Sequence, residues 1–174
     1  MEGIVANVLR CVFFYLLQVL FLKRLSTGWE GFFYWNVLFY PLFILLLPFR
    51  TPRSLLLLIA FAFGLLIDMA YDSPGVHASA LVFTAYMRDV IIKLDWMVPR
   101  DGYKITSTPT IRDLGLPWFL RYLSILLACH VVFYFTMEVF VPAQILEILQ
   151  KSFFTYILSM VFILIYMLIF RPSQ

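Results

Sequence analysis

Long apolar runs separated by short polar stretches make up most of the chain. Crossing the hydrocarbon core of a bilayer takes about 20 mostly apolar residues in a helix. Runs near that length cover 5–22, 32–49, 54–71, 76–92, 117–141 and 153–170. The pattern predicts an all-α integral membrane protein, a bundle of about six transmembrane helices. The second run contains Pro41 and ends at Pro48, so we expect a kink there, which a span packed among neighbours tolerates.

The predicted spans leave one long connection, at 93–116. Its sequence "KLDWMVPRDGYKITSTPTIRDLGL" mixes charged residues with Gly, Pro and Ser/Thr and has no apolar period long enough to span. Leu94, Trp96 and Met97 would suit an interfacial helix at its start. The organisation predicted is a single transmembrane domain over 1–174, with 93–116 as a cytoplasmic loop.

Composition supports a bilayer as the solvent. Of the 174 residues, 63% are hydrophobic and 13% are charged, and the mean hydropathy is +0.94. Soluble domains carry roughly 25% charged residues. The net charge of +3 is small, and the basic residues form no stripe among exposed aromatics, so we expect contact with membrane lipid and none with nucleic acid.

The basic residues also predict the orientation. With the N-terminus in the cytoplasm, the basic residues on the cytoplasmic side are Arg50, Arg53, Arg88, Lys93, Arg100, Lys104, Arg112, Arg121 and Arg171. The outside keeps Lys23, Arg24 and Lys151. The positive-inside rule favours this arrangement, and an even number of spans places both termini in the cytoplasm.

Ionisable residues interrupt the apolar pattern between the third and fourth predicted spans, in "FGLLIDMAYDSPGVHASAL". Asp72 and Ser73 suit a helix N-cap, and Pro74 suits the first helical position, so these residues predict a tight helical hairpin. Under the predicted orientation, this turn lies at the extracytoplasmic membrane surface.

Asp68 falls near the C-terminus of the third span, where the helix dipole disfavours a carboxylate. Two nearby groups can donate hydrogen bonds to it: the free backbone N–H groups that open the fourth span, and His77. We therefore predict a clasp that holds the two helices together. Gly64 on one helix, and Gly75 and Ala78 on the other, would allow the close approach typical of small residues in membrane helices.

Two functional interpretations of this stretch stay open beside the structural clasp. Asp68 and His77 could contact a partner protein, or they could bind a proton, an ion or a substrate, as ionisable residues within membranes often do. Their position at the membrane surface, where a charge is less costly than at mid-depth, favours the clasp.

Two further polar stripes are predicted to meet other protein rather than lipid. They consist of Asn7, Arg10 and Gln18 on the first span and His130, Tyr134 and Glu138 on the fifth. Arg10 could instead extend to the lipid headgroups. Glu138 lies two helical turns from His130, whereas zinc ligands on one helix lie about one turn apart, so we expect interhelical hydrogen bonds or a partner-facing stripe and no metal or cofactor.

Standard enzyme signatures are missing from the sequence. It has no GxSxG, HExxH, CxxC or phosphate-binding glycine loop. Cys11 and Cys129 each fall inside an apolar run, so we interpret them as small buried apolar residues without a disulfide. These features predict a protein that is not an enzyme.

The stretch from 45 to 88, "LLLPFRTPRSLLLLIAFAFGLLIDMAYDSPGVHASALVFTAYMR", closely resembles the core of the rod shape-determining protein MreD family. The residues that match the family pattern are Gly64, Asp68, Gly75, His77, Ala85 and Tyr86. A second patch, "CHVVFYFTMEVF" with His130 and Glu138, looks like the fifth helix in some branches of the family. Asp72-Ser73-Pro74 stands where some members have a Gly/Ser turn.

The resemblance implies a non-enzymatic scaffold of the bacterial cell-elongation complex, in the cytoplasmic (inner) membrane. Such a protein binds the single-span scaffold MreC. It helps to couple the MreB filament, indirectly, to the peptidoglycan synthases, a RodA-type glycosyltransferase and a class B penicillin-binding protein, and so to regulation of cell shape. The implied fold is similar to the substrate-binding component of energy-coupling-factor transporters. That similarity supplies an alternative function: binding of a vitamin-like small molecule in a polar cavity lined by residues such as Asp68, His77 and Glu138.

Overall fold

The computed structural model of the protein describes residues 2–25, 36–99, 102 and 108–170. This part of the chain is all-helical and contains no strand. In chain order the α-helices are α1 (Glu2–Leu16), α2 (Lys23–Leu25), α3 (Pro41–Leu45), α4 (Arg53–Tyr71), α5 (Val76–Ile91), α6 (Ile111–Leu114), α7 (Leu116–Val139) and α8 (Ile145–Phe170). A π-helical segment, Leu17–Leu22, joins α1 to α2, and a 3₁₀ turn, Pro142–Gln144, precedes α8.

Four helical segments of the described chain are long and apolar enough to cross a membrane: Val5–Leu25, Arg53–Tyr71, Leu116–Val139 and Ile145–Phe170. These segments make the chain a membrane protein, as its composition predicts. The last span begins at Ile145, well before the predicted start at 153. Helix α5 matches its predicted position, but at 16 residues it is shorter than each of these four segments.

The predicted helical span over 32–49, with a kink in it, is wrong within the described residues. Only Pro41–Leu45 is helical there, and residues 36–39 have no regular structure. Residues 32–35 lie outside the described part. Every residue from 36 to 47 is buried, so this irregular segment runs through the interior of the protein. We refer to residues 36–48 as the core segment.

The long helices pack in sequence around the core segment. Helices α4 and α5 form an antiparallel hairpin, α5 packs on α7, and α7 packs on α8. The α2 end of the first span lies beside the end of α4, where Lys23 Nζ donates to Ala70 O at 2.5 Å. Its middle lies against α8, where the Phe14 and Tyr166 ring centroids are 5.5 Å apart.

The predicted loop at 93–116 begins with turns, so the interfacial helix that Leu94, Trp96 and Met97 would suit does not form at its start. Leu94 and Trp96 are exposed, whereas Met97 is buried and its carbonyl accepts a hydrogen bond from Trp118 Nε1 at 2.7 Å. Near the end of the loop, Thr110 caps the short helix α6 by accepting from the Asp113 N–H.

Candidate functional site

The hairpin turn between α4 and α5 uses two left-handed residues. Asp72 ends α4 with φ of 54°, and Gly75 precedes α5 with φ of 89°, which a residue without a Cβ adopts at little cost. Asp72 and Ser73 are therefore not the N-cap, and Pro74 lies in the turn, so those sequence predictions are wrong. The reason is that the cap of α5 comes from the preceding helix.

That cap is the carboxylate of Asp68, which is 3% exposed. Its Oδ1 accepts from the His77 N–H at 2.8 Å and from His77 Nδ1 at 3.0 Å. Its Oδ2 accepts from the N–H groups of Gly75 at 3.1 Å and Ala78 at 3.0 Å. Ser73 Oγ lies 3.3 Å from Oδ1. One side chain thus satisfies three of the backbone donors that open α5, and these are the contacts of the predicted clasp.

Gly64 allows the two helices of the hairpin to meet. A Cβ at position 64 would lie 2.3 Å from the Cα of Ala78 and 2.8 Å from its nitrogen. Backbone therefore contacts backbone at this point, one turn before Asp68 on α4. The close approach holds the Asp68 carboxylate within reach of the α5 amides.

His77 is fully buried beside Asp68. A carboxylate only accepts hydrogen bonds, so the Nδ1 atom carries the proton of the contact with Asp68. The Nε2 atom has no hydrogen-bond partner among the described residues. The imidazole packs among the rings of Tyr40, Tyr71 and Tyr134, with centroids 5.4, 4.8 and 5.0 Å away.

A second buried histidine, His130 on α7, joins the core segment to α5. Thr84 Oγ1 donates to the Ala80 carbonyl at 2.7 Å, so it accepts from His130 Nδ1 at 2.8 Å. In a neutral imidazole the other ring nitrogen, Nε2, then accepts from the Tyr40 hydroxyl at 2.9 Å. These contacts bind three elements together.

Gln18, in the π-helical segment, supplies partners for the irregular backbone of the core segment. Its Oε1 accepts from the N–H groups of Phe39 and Tyr40 at 2.9 and 3.3 Å. Its Nε2 donates to the Val37 carbonyl at 2.9 Å and to the Tyr71 hydroxyl at 2.8 Å. The side-chain amide replaces the helical hydrogen bonds that residues 37–40 do not make, and this explains why the segment is not a helix.

The backbone of the core segment bonds to other helices as well. The Leu38 N–H donates to Ser159 Oγ on α8 at 2.9 Å. The Tyr122 hydroxyl donates to the Leu45 carbonyl at 2.9 Å and accepts from Arg88 Nε at 3.0 Å. The Arg88 guanidinium, which is 2% exposed, also donates to the carbonyl of Leu47. Arg88 thus satisfies carbonyls left free where α3 ends.

The remaining residues of the two predicted stripes lie in different environments. Gln18, His130 and Tyr134 are buried in the bundle, so a partner-facing role for these three is wrong: Gln18 and His130 hydrogen-bond to the core segment, and the Tyr134 ring packs against His77. Asn7 and Arg10 are half-buried, and Glu138 is exposed. The stripes therefore do not form one surface.

Sequence reasoning did not assign the residues that complete the network: Tyr40, Thr84, Arg88, Tyr122 and Ser159. The available signal was a polar or basic side chain within an apolar run. Arg88 served only as a marker of orientation, although a guanidinium inside a predicted span also suggests a buried acceptor.

The network offers hydrogen bonds rather than an open site. Among the described residues, no group of three or more His, Cys, Asp and Glu side chains could hold a metal ion. The cavities between α1 and α4 and on the outer sides of α5 and α7 are not lined by Asp68, His77 or His130. Comparisons with protein-family models, curated proteins and solved structures give no match to this chain.

Proposed function

We propose that the protein is a non-enzymatic membrane scaffold of the MreD type, which binds a single-span partner such as MreC and links the MreB filament to peptidoglycan synthesis in the cytoplasmic membrane. The observation that carries this proposal is the hairpin between α4 and α5. Gly64, Asp68, Gly75 and His77, on which the resemblance rests, are the residues that set its geometry. A rigid hairpin suits a protein that presents a fixed surface.

The bundle interior supports a scaffold more than a small-molecule binder of the vitamin-transporter type. Such a binder needs a concave site with a few convergent polar groups. Here residues 36–47 occupy the interior, and the polar side chains of Gln18, Asp68 and His130 are used in internal hydrogen bonds. Little polar surface is left to recognise a ligand at these positions.

The proposal includes six membrane crossings with both termini in the cytoplasm. The four long helices, α5 and the core segment would supply the six. The core segment would cross the membrane largely as irregular backbone. A membrane protein tolerates such backbone where other parts of the protein surround it on all sides. Arg50, at the cytoplasmic end of this segment, agrees with the positive-inside rule for this orientation, whereas Lys23 is one of the few basic residues left on the outside.

Co-purification from native membranes tests the proposal. We expect extraction in a mild detergent to recover the protein together with a bitopic protein. The Asp68→Asn variant should recover several-fold less of that partner, because an amide cannot accept all of the hydrogen bonds from α5 and the hairpin loosens. Asp95→Asn changes the same chemical group in an exposed turn and should recover the wild-type amount.

Three outcomes would count against this proposal. Reproducible recovery of the wild-type protein alone would argue against a bitopic partner. Equal recovery of the partner with the Asp68 variant and with wild type would separate partner binding from the hairpin. Density for a small molecule in contact with Asp68 and His77 would favour the transporter-type binder instead.

A further inference from the structure

A lateral groove opens between the first span and α4. The first span contacts α4 near its α2 end, where Lys23 meets Ala70 and Gln18 meets Tyr71, whereas α1 itself makes few contacts with α4. The space between them has a volume of about 660 Å³. Its floor is the core segment, through Phe43 and Leu47.

The walls of the groove are almost entirely apolar, and its open end carries a cation. Leu55, Ile59 and Leu66 line the α4 side, and Arg50 lies at the mouth. Arg50 is exposed and has no hydrogen-bond or ion-pair partner among the described residues. Close to it in the chain, α4 begins without a side-chain cap, and Pro52 and Leu55 at this positive end of the helix dipole also line the groove.

We propose that this groove binds an anionic phospholipid, with the phosphate at Arg50 and one acyl chain along α4. Basic residues between membrane helices at the membrane surface suit acidic lipid headgroups. Asn7 also lines the groove, and its Oδ1 is a buried acceptor without a partner in the described chain. A headgroup that carries hydroxyls, such as glycerol, can donate to it.

The dimensions favour an acyl chain over a partner helix. From Leu55 to Leu66 the groove extends roughly 17 Å at the 1.5 Å rise of an α-helix. One leaflet is about half of the ≈ 30 Å hydrocarbon core, so the groove matches a single leaflet and is too short for a spanning helix. Helix–helix contacts in membranes are rich in small residues, whereas this lining is mostly Leu, Ile, Val and Phe with Ala62 among them.

Lipid retention tests the proposal independently of any protein partner. The protein is placed in nanodiscs of mixed phosphatidylethanolamine and phosphatidylglycerol, and native mass spectrometry counts the lipids that it keeps. We expect preferential retention of phosphatidylglycerol. Arg50→Gln should weaken that retention about fivefold, the effect of one basic residue at an anionic membrane surface. Arg121→Gln removes an exposed charge at the start of α7 and should leave retention unchanged.

A second pair of variants tests the acyl-chain path. Ala62→Phe fills the groove, and it should reduce retention of both lipids while Arg50 stays in place. Leu58→Phe adds bulk at an exposed position of α4 outside the groove and should have no effect. Thermal unfolding checks that all four variants are folded.

Three results would overturn the lipid site. Equal losses for the Arg50 and Arg121 variants would indicate general attraction to the surface. Unchanged retention in Ala62→Phe would place the lipid elsewhere. Loss of a co-purified bitopic protein from Ala62→Phe, with lipid retention intact, would assign the groove to a partner helix. Failure of the scaffold proposal would be recognised by a different result, because the wild-type protein would then purify without a bitopic partner.

Discussion

Asp68 caps a helix other than its own. At the end of α4 its carboxylate lies against the unfavourable end of one helix dipole, and it compensates by accepting from the first amides of α5. Charge-assisted hydrogen bonds to backbone amides are about twice as strong as neutral ones. The residue therefore couples the end of one helix to the start of the next, and substitutions at this position should affect the pair rather than either helix.

Replacing Asp68 tests this coupling. We expect Asp68→Asn to lower the free energy of unfolding by about 1–3 kcal/mol, because the new amide leaves a buried N–H donor without an acceptor. Asp68→Ala should be at least as damaging, and both variants should still insert into the membrane. Denaturant titration in detergent micelles measures the change. Asp95→Asn, at an exposed position, should stay within about 0.5 kcal/mol of wild type, and an equally small change for Asp68→Asn would contradict the coupling.

Gly64 gives a prediction of a different kind, because the clash expected there is with backbone. Gly64→Ala should destabilise the protein by about 1–3 kcal/mol, the usual cost of overpacking. Adding Ala78→Gly should not restore stability, since a Cβ at position 64 would meet the Cα and nitrogen of residue 78. Unfolding measured for the single and double variants decides this, with Leu65→Ala on the lipid-facing side of α4 as a control. Full rescue by the double variant would show that the two backbones can separate.

At the scale of the element, the core segment shows what the sequence could and could not predict. The α4 and α5 bounds were predicted closely, because a long apolar run between turn residues has few alternatives. The helix over 32–49 was wrong because the residues that stabilise a non-helical backbone, Gln18 and Ser159, are distant in the chain. The hydropathy of an apolar segment is the same whether its backbone is helical or irregular, so the apolar pattern could not distinguish the two.

The candidate site was likewise predicted only in part. Asp68 and His77 are near neighbours in sequence, and their contact was predicted from helix ends alone. The pairing of His130 with Tyr40 and Thr84 depends on how three elements pack, and no local pattern reports it. The N-cap at Asp72 and Ser73 was wrong because the Asp68 carboxylate already occupies the amides that such a cap would use.

Gln18 is the residue through which the core segment can be tested. Gln18→Leu keeps the approximate volume and removes the acceptor for the Phe39 and Tyr40 amides. We expect a loss of about 2–4 kcal/mol, since more than one buried backbone group loses its partner. Hydrogen–deuterium exchange should show faster exchange at Phe39 and Tyr40.

Gln144→Leu, at an exposed position before α8, provides the control for that substitution. It should change neither stability nor exchange in the core segment. Unaltered protection of the two amides in Gln18→Leu would mean that other groups hold the segment.

For the whole molecule, the six proposed crossings predict which turns each side of the membrane can reach. Single cysteines in a background without Cys11 and Cys129 report this through a membrane-impermeant maleimide. Residues 72 and 143 should react in intact cells or spheroplasts, and residues 95 and 102 only after the membrane is opened, because turns alternate sides along the chain. Labelling of residues 72 and 95 from the same side would contradict the odd number of crossings between them.

The bonds around the core segment also bear on the order in which the protein is made. The segment leaves the ribosome early, after the first span, but its Leu38 amide pairs with Ser159 on the last helix, and its Leu45 carbonyl pairs with Tyr122. Gln18, on the first span, is already present when the segment is made, but these two backbone groups have no native partner until the later helices follow. The hydrogen bonding of the core segment would therefore be completed only at the end of synthesis, when α7 and α8 are in place.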